Sequence, residues 1–127
     1  MKHPSTHTNL NILFVDDNAT ARRLFKQFLE KQGYRVTGAI DGKEAFRLFS
    51  SETKFDHVIC DFDLKSDLNG IDVLTEFERL RPGKGKILIT ALASDCVDDS
   101  AKKLGAACIA KPVNLQSLLT CIRNFTT

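Results

Sequence analysis

Four short apolar runs, each ending in a polar side chain, constrain this sequence more than any other feature. Ile12-Leu13-Phe14-Val15 leads into Asp16-Asp17, and Val58-Ile59-Cys60 leads into Asp61. Ile87-Leu88-Ile89 leads into Thr90, and Cys108-Ile109-Ala110 leads into Lys111-Pro112. Apolar runs this short have the length of buried strands. In an open parallel α/β sheet the strand carboxyl ends share one edge, and ligands bind along it. If these runs are parallel strands, one pocket collects three carboxylates, a hydroxyl and an ammonium.

The segments between the runs support that arrangement. A helix is predicted from Ala19 to Gln32, with Leu24, Phe25, Phe28 and Leu29 at helical spacing and Gly33 as the stop. Tyr34 to Ala39 is a weaker strand, expected at a sheet edge. Asp41 can cap a helix carrying Ala45, Phe46, Leu48 and Phe49. A strand from His57 to Asp61 is followed by a polar loop, Asp63 to Asn69. Gly70 then opens a helix with Ile71, Leu74, Phe77 and Leu80, which Pro82-Gly83 ends. Lys86 to Thr90 is the fourth strand, Asp95 to Leu104 a more polar helix, and Ala107 to Ala110 the fifth strand. Asn114 can cap a last helix bearing Leu115, Leu118, Leu119, Ile122 and Phe125. Five strands alternating with five helices predict a parallel sheet covered on both faces, and near-obligatory right-handed crossovers leave few topologies.

Composition narrows the function. The chain has 127 residues, enough for a single core. Residues 1–9 are polar and read as a disordered tail, leaving 10–127 as the one domain. A formal charge of +2 lacks the basic excess of a phosphate-neutralising nucleic-acid binder, so direct nucleic acid binding is not expected. No apolar stretch approaches the ~20 residues of a membrane span, and no signal peptide opens the chain. A cytoplasmic protein is expected. Cys60, Cys96, Cys108 and Cys121 lack C-x-x-C spacing and read as reduced thiols. His57 reads as a strand residue near the surface. Arg22, Arg23 and Lys26 read equally well as a solvated helix face or as a docking surface for an acidic partner.

Three carboxylates in one pocket need a counter-charge. Two unit charges ~4 Å apart repel by roughly 4 kcal/mol at an effective dielectric near 20. A hard cation with oxygen ligands answers this, and Mg²⁺ fits best because it is commonly held by one or two carboxylates, waters and a phosphoryl oxygen. A carboxylate beside such a cation can act as a nucleophile and form an aspartyl-phosphate. Each residue also has an ordinary reading: Asp16-Asp17 as a helix cap, Asp61 as a loop acid, Thr90 as a β-branched strand residue, Lys111 as a solvated charge. No structural rule requires all five at one sheet edge.

The motifs ILFVDDN, FDHVICDFDL with NGIDVL, ILITAL and AKPV, in this order, resemble the receiver domain of bacterial two-component response regulators. The resemblance runs from about Leu10 to Phe125. It implies a flavodoxin-like, doubly wound five-stranded parallel sheet of order 2-1-3-4-5 with five helices. It implies that Asp61 is the phosphoacceptor, with Thr90 as the switch hydroxyl and Lys111 as the partner of the acceptor carboxylate and then the phosphate. Mg²⁺ would be bound by Asp17 and Asp61, by Asp16 mainly through water, and by the backbone carbonyl of Asp63. The Lys111-Pro112 bond is expected to be cis. The implied phosphoryl source is a histidine kinase or a histidine phosphotransfer protein of a phosphorelay, and the implied output is altered affinity for a downstream protein effector. A weak homodimer is compatible with the resemblance. The chain would not be an enzyme beyond its own phosphorylation and dephosphorylation. It would be a stand-alone regulator or a domain of a larger regulator or hybrid kinase.

Several positions depart from the family pattern. Lys65 stands where a proline is common, and the Lys65 to Asn69 loop looks one residue long. Gly105 to Lys111 looks one residue short. Cys108 stands where many receivers carry a Tyr or Phe, so the switch response is expected between Thr90 and Asp99 rather than in the fifth strand. Asp63 and Leu92 occupy positions that tune phosphoryl lifetime in this family. One rival resemblance exists: Asp61-Phe62-Asp63-Leu64 is similar to the D-x-D motif of haloacid-dehalogenase-type phosphatases. That motif normally lies on the first strand and precedes its metal-binding acids, whereas here it lies on the third and follows Asp16-Asp17.

Overall fold

The computed structural model describes residues 10–92 and 99–126. The strands are β1 (Asn11–Val15), β2 (Arg35–Ala39), β3 (His57–Asp61), β4 (Gly85–Thr90) and β5 (Ala107–Ala110). The helices are α1 (Ala19–Lys31), α2 (Gly42–Phe49), α3 (Gly70–Leu80), α4 (Asp99–Lys103) and α5 (Leu115–Thr126). All neighbouring strands are parallel, in the order β2-β1-β3-β4-β5. This is the predicted doubly wound, flavodoxin-like sheet, with β2 at one edge. The predicted tail, residues 1–9, lies outside the described residues, as does the 93–98 part of the polar stretch before β5.

Alternation along the strands divides the core into two layers. Leu13, Val15, Val58, Cys60 and Leu88 face Ala45 of α2, Val73, Leu74 and Phe77 of α3, and Ala101 of α4. Ile12, Phe14, Ile59, Ile87 and Ile89 face Leu29 of α1 and Leu118, Leu119 and Ile122 of α5. The central strands β3 and β4 are buried at every residue. Helix starts are fixed by side chains that accept from otherwise unpaired N–H groups: Asn18 from Ala21, Asp41 from Glu44, and Asn114 from Ser117. At α3, Asn69 and Asp72 form a reciprocal capping box.

Two expectations fail. His57 is 3% exposed rather than near the surface. Its ring lies beside Gly85 on the neighbouring strand, where an added Cβ would sit 2.1 Å from His57 Nδ1. Phe125 of α5 approaches the same ring, with centroids 6.3 Å apart. Glycine thus opens the space that buries the imidazole. The second correction concerns Cys108, which is disulfide-bonded and not a reduced thiol. It lies on edge strand β5, where no residue is fully buried. Cys60 and Cys121 are free, as expected, and Cys96 lies outside the described residues.

Candidate functional site at the carboxyl edge of the sheet

The register builds the site as a staircase. Val15 is level with Cys60, so Asp16 falls level with Asp61 at the next step. Asp61 is level with Ile89, which puts Thr90 one step further. Thr90 is level with Ala110, which puts Lys111 one step beyond that. The ladder continues past the strands: the Phe62 N–H donates to Ile89 O at 2.7 Å, and the Lys111 N–H donates to Thr90 O at 2.8 Å. The main chain therefore holds these residues in place before any side chain acts.

Asp61 is 4% and Asp16 5% exposed, while Asp17 reaches solvent. Each of the three offers a carboxylate oxygen, and these oxygens all lie within 4.8 Å of one another. Lys111 Nζ donates to Asp61 Oδ2 at 3.0 Å. The Lys111-Pro112 peptide bond is cis. Asp16, Asp17, Asp61, Asp63, Lys65 and Lys111 share one cavity of about 620 Å³, closed on one side by α1.

The electrostatics follow from burial and crowding. Burial pushes the Asp16 carboxyl above its ordinary range; the Asn18 N–H, which donates to Asp16 Oδ1 at 2.9 Å, and the charge of Lys111 oppose this, while the charges of Asp61 and Asp17 add to it. Burial pulls the Lys111 ammonium down, but the hydrogen bond and charge of Asp61, with Asp16 and Asp17 behind it, outweigh that and hold it above its ordinary value. Burial beside Asp61 and Asp16 keeps the Cys60 thiol protonated. Asp16, Asp17, Asp61 and Asp63 against Lys65 and Lys111 leave the pocket negative. An all-oxygen donor set with a surplus of negative charge fits a hard divalent cation.

The remaining expected residues divide. The Asp63 N–H points to Asp61 Oδ1 at 3.4 Å, and Asp63 lines the cavity. Its carboxylate accepts from the Lys65 N–H at 3.1 Å. Thr90 is 1% exposed and does not line the cavity. Its Oγ1 accepts from the Leu92 N–H at 3.2 Å. Strand alternation explains this, since Thr90 shares the face of Leu88, whereas Asp61 shares the face of Ile59. Part of the expected switch segment, residues 93–98, lies outside the described residues.

Gly70 and Arg22 have supporting roles that the sequence reading does not give them. Gly70 lets α3 start against Asp61: an added Cβ would sit 2.7 Å from Asp61 O and 2.9 Å from Phe62 Cα. The Gly70 N–H donates to Phe62 O at 2.9 Å. Asn-Gly before an apolar helix stripe was the available signal. Arg22 was read only as part of a basic face, yet its guanidinium donates to Asp16 O at 2.7 Å and fixes the β1–α1 turn.

Comparison with known proteins agrees with this fold. The family model described as "Response regulator receiver domain" matches residues 12–123. The transcriptional regulatory protein ZraR of Escherichia coli K12 is 32% identical over 114 residues, 89% of this chain but only 25% of that protein. The chain thus spans about a quarter of that regulator's length. A CheY-like receiver domain protein from Methanospirillum hungatei has a TM-score of 0.83 and 34% identity, covering 91% of this chain and 92% of that one. The response regulator protein TrrA of Thermotoga maritima, solved in complex with Mg²⁺-BeF, has a TM-score of 0.81 and 28% identity, covering 91% of this chain and 98% of that one. The third-strand position of Asp61 and the sheet order rule out the phosphatase resemblance. This chain belongs to the response regulator receiver domain family of two-component signalling systems.

Proposed function

We propose that Asp61 accepts a phosphoryl group from a phosphohistidine, carried by a histidine kinase or a histidine phosphotransfer protein, and that residues 10–127 form the receiver unit that does so. The observation that carries this is the convergence of Asp61, Asp16, Asp17 and Lys111: a buried carboxylate with one ammonium at 3.0 Å and two further carboxylates at its flank. An Asp61 oxygen attacks phosphorus, the phosphorus–nitrogen bond of the donor breaks, and the leaving imidazole keeps the electron pair and takes up a proton. The product is an acyl phosphate on Asp61.

Asp17 and Asp61 would hold Mg²⁺ through their side chains, with Asp16 acting through water and Asp63 through its backbone carbonyl. That ion, when bound, supplies charge neutralisation and orients the phosphoryl oxygens. Lys111 is already beside Asp61 and can move its hydrogen bond to a phosphoryl oxygen as charge builds there. The Thr90 hydroxyl, which donates to Leu92 O at 3.4 Å, must redirect its O–H to reach the same group. That exchange, carried by the loop after β4, is the switch that alters affinity for a protein effector. The catalysis is limited to the domain's own phosphorylation and dephosphorylation.

Incubation with Mg²⁺ and acetyl phosphate, followed by intact-mass measurement, tests this. One phosphoryl adduct is expected on the wild type and none on Asp61→Asn. An adduct forming on the Asn variant at the wild-type rate would move the acceptor elsewhere.

A further inference from the structure

Lys65 has φ of 52°, and it is the one non-glycine residue with positive φ among the described residues. Glycine or asparagine adopts this conformation at less cost than lysine. Two contacts hold the chain there. The Asp63 carboxylate accepts the Lys65 N–H at 3.1 Å, and the intervening Leu64 is 2% exposed within the core beneath. The loop is pinned immediately before a residue poorly suited to its backbone. An outlier of this kind next to a reactive group is a reason to ask what its side chain does.

Lys65 lines the same cavity as Asp16, Asp17, Asp61 and Lys111. The cavity therefore has an ammonium-bearing residue on two sides, Lys111 from the end of β5 and Lys65 from the β3–α3 loop. They differ in engagement. Lys111 is bonded to Asp61, whereas among the described residues Lys65 forms no ion pair. A phosphoryl dianion approaching this pocket meets three carboxylates. An uncommitted exposed cation at the mouth offsets that repulsion during approach. Lys111 is less able to do so while it neutralises the acceptor.

We propose that Lys65 is a positioning residue that captures the anionic phosphoryl donor at the mouth of the site before transfer to Asp61. This rests on the function proposed above. The role belongs to the encounter, so it changes the second-order rate constant and its salt dependence, not the identity of the acceptor.

The test is the rate of phosphorylation by acetyl phosphate in excess Mg²⁺, measured by intact mass at low and high ionic strength. Lys65→Gly is expected to react roughly two- to fivefold more slowly than wild type at low salt, the scale of one exposed charge contact. The difference should shrink at high salt as the charge is screened. Lys65→Glu should be slower still, and Lys65→Arg should match wild type. Glycine also suits the backbone at this position, so the melting temperature of Lys65→Gly should equal or exceed that of wild type. A purely structural lysine would instead give a lowered melting temperature and a salt-independent loss. Equal rate constants for wild type and Lys65→Gly, or a loss unchanged by salt, overturn the role of Lys65 alone. A wild type that gains no phosphoryl group overturns the functional reading beneath it.

Discussion

Lys111 places its ammonium 3.0 Å from Asp61 Oδ2, reaching across from the end of β5 to the end of β3 with β4 between them. Asp61 is 5% exposed at its side chain, while the lysine is 42% exposed. The pair is therefore asymmetric. Losing the lysine strands a buried carboxylate, whereas losing the carboxylate leaves a cation that can turn to water.

That asymmetry has a measurable consequence. Lys111→Met should lower stability in metal-free buffer by about 1–2 kcal/mol, a stranded-charge cost discounted for the exposed partner. Asp61→Asn in the Lys111→Met background should recover most of the loss. Urea melts of the four proteins of this double-mutant cycle give the coupling energy. Additive effects would show that the contact contributes no net stability.

The carboxylate cluster makes stability depend on divalent cation. Mg²⁺ at a hundredfold above its dissociation constant should stabilise the folded chain by about 2.7 kcal/mol, because a ligand bound only to the native state acts by mass action. Asp17→Ala should lose this gain and melt higher than wild type in chelator, since one repelling charge is gone. Thermal scans with and without Mg²⁺ check both arms. A wild-type melting temperature indifferent to Mg²⁺ would count against the pocket as a metal site.

Burial lowers the pKa of His57 to about 4; Asp56 pulls it up and Lys84 pushes it down. The folded chain therefore keeps His57 neutral where the unfolded chain, at about 6.5, takes up a proton. Its contribution is complete above pH 6.5 and is lost as pH falls towards 4, reaching at most about 3 kcal/mol. Asp16, whose pKa is raised, acts in the opposite sense, so the informative quantity is a difference. The stability of His57→Asn, which does not titrate, should fall less steeply than wild type between pH 6.5 and 4. Parallel slopes in denaturant titrations across that range would exclude His57 as the source.

Gly70→Ala should destabilise by about 1–3 kcal/mol, because its Cβ meets the backbone of Asp61 and Phe62 as well as Leu88 Cδ1, and the backbone cannot yield even where the leucine can. The same shift displaces the acceptor, so acetyl phosphate labelling should slow with the loss of stability. A variant with wild-type melting and wild-type labelling would mean that α3 can move away freely.

Much of this was legible in the sequence, and the rest had physical reasons for being hidden. Apolar runs of strand length, Asp41 and Asn114 as caps, and Gly33 as a stop sufficed for the element order, because each is a local preference. Asp16, Asp17, Asp61 and Lys111 could be placed together because strand ends in a parallel sheet must converge. The burial of His57 depends on Gly85, 28 positions away in the chain, and no local pattern reports such a pairing. Thr90 was placed at the right edge, but its side chain follows the alternation of its own strand. That phase relative to Asp61 is set by a register that only the folded sheet reveals. The Cys108 bond is likewise a matter of proximity in space, invisible to spacing along the chain.

The staircase from Asp61 through Thr90 to Lys111 uses no helix side chain to set its spacing. Its steps are peptide hydrogen bonds, and these are the same whatever residues decorate the outer layers. Substitutions on the outer faces of the helices would therefore leave the spacing of Asp61, Thr90 and Lys111 unchanged. Change on the helices and constancy at the sheet edge are thus compatible in one fold, because the backbone ladder alone sets the spacing.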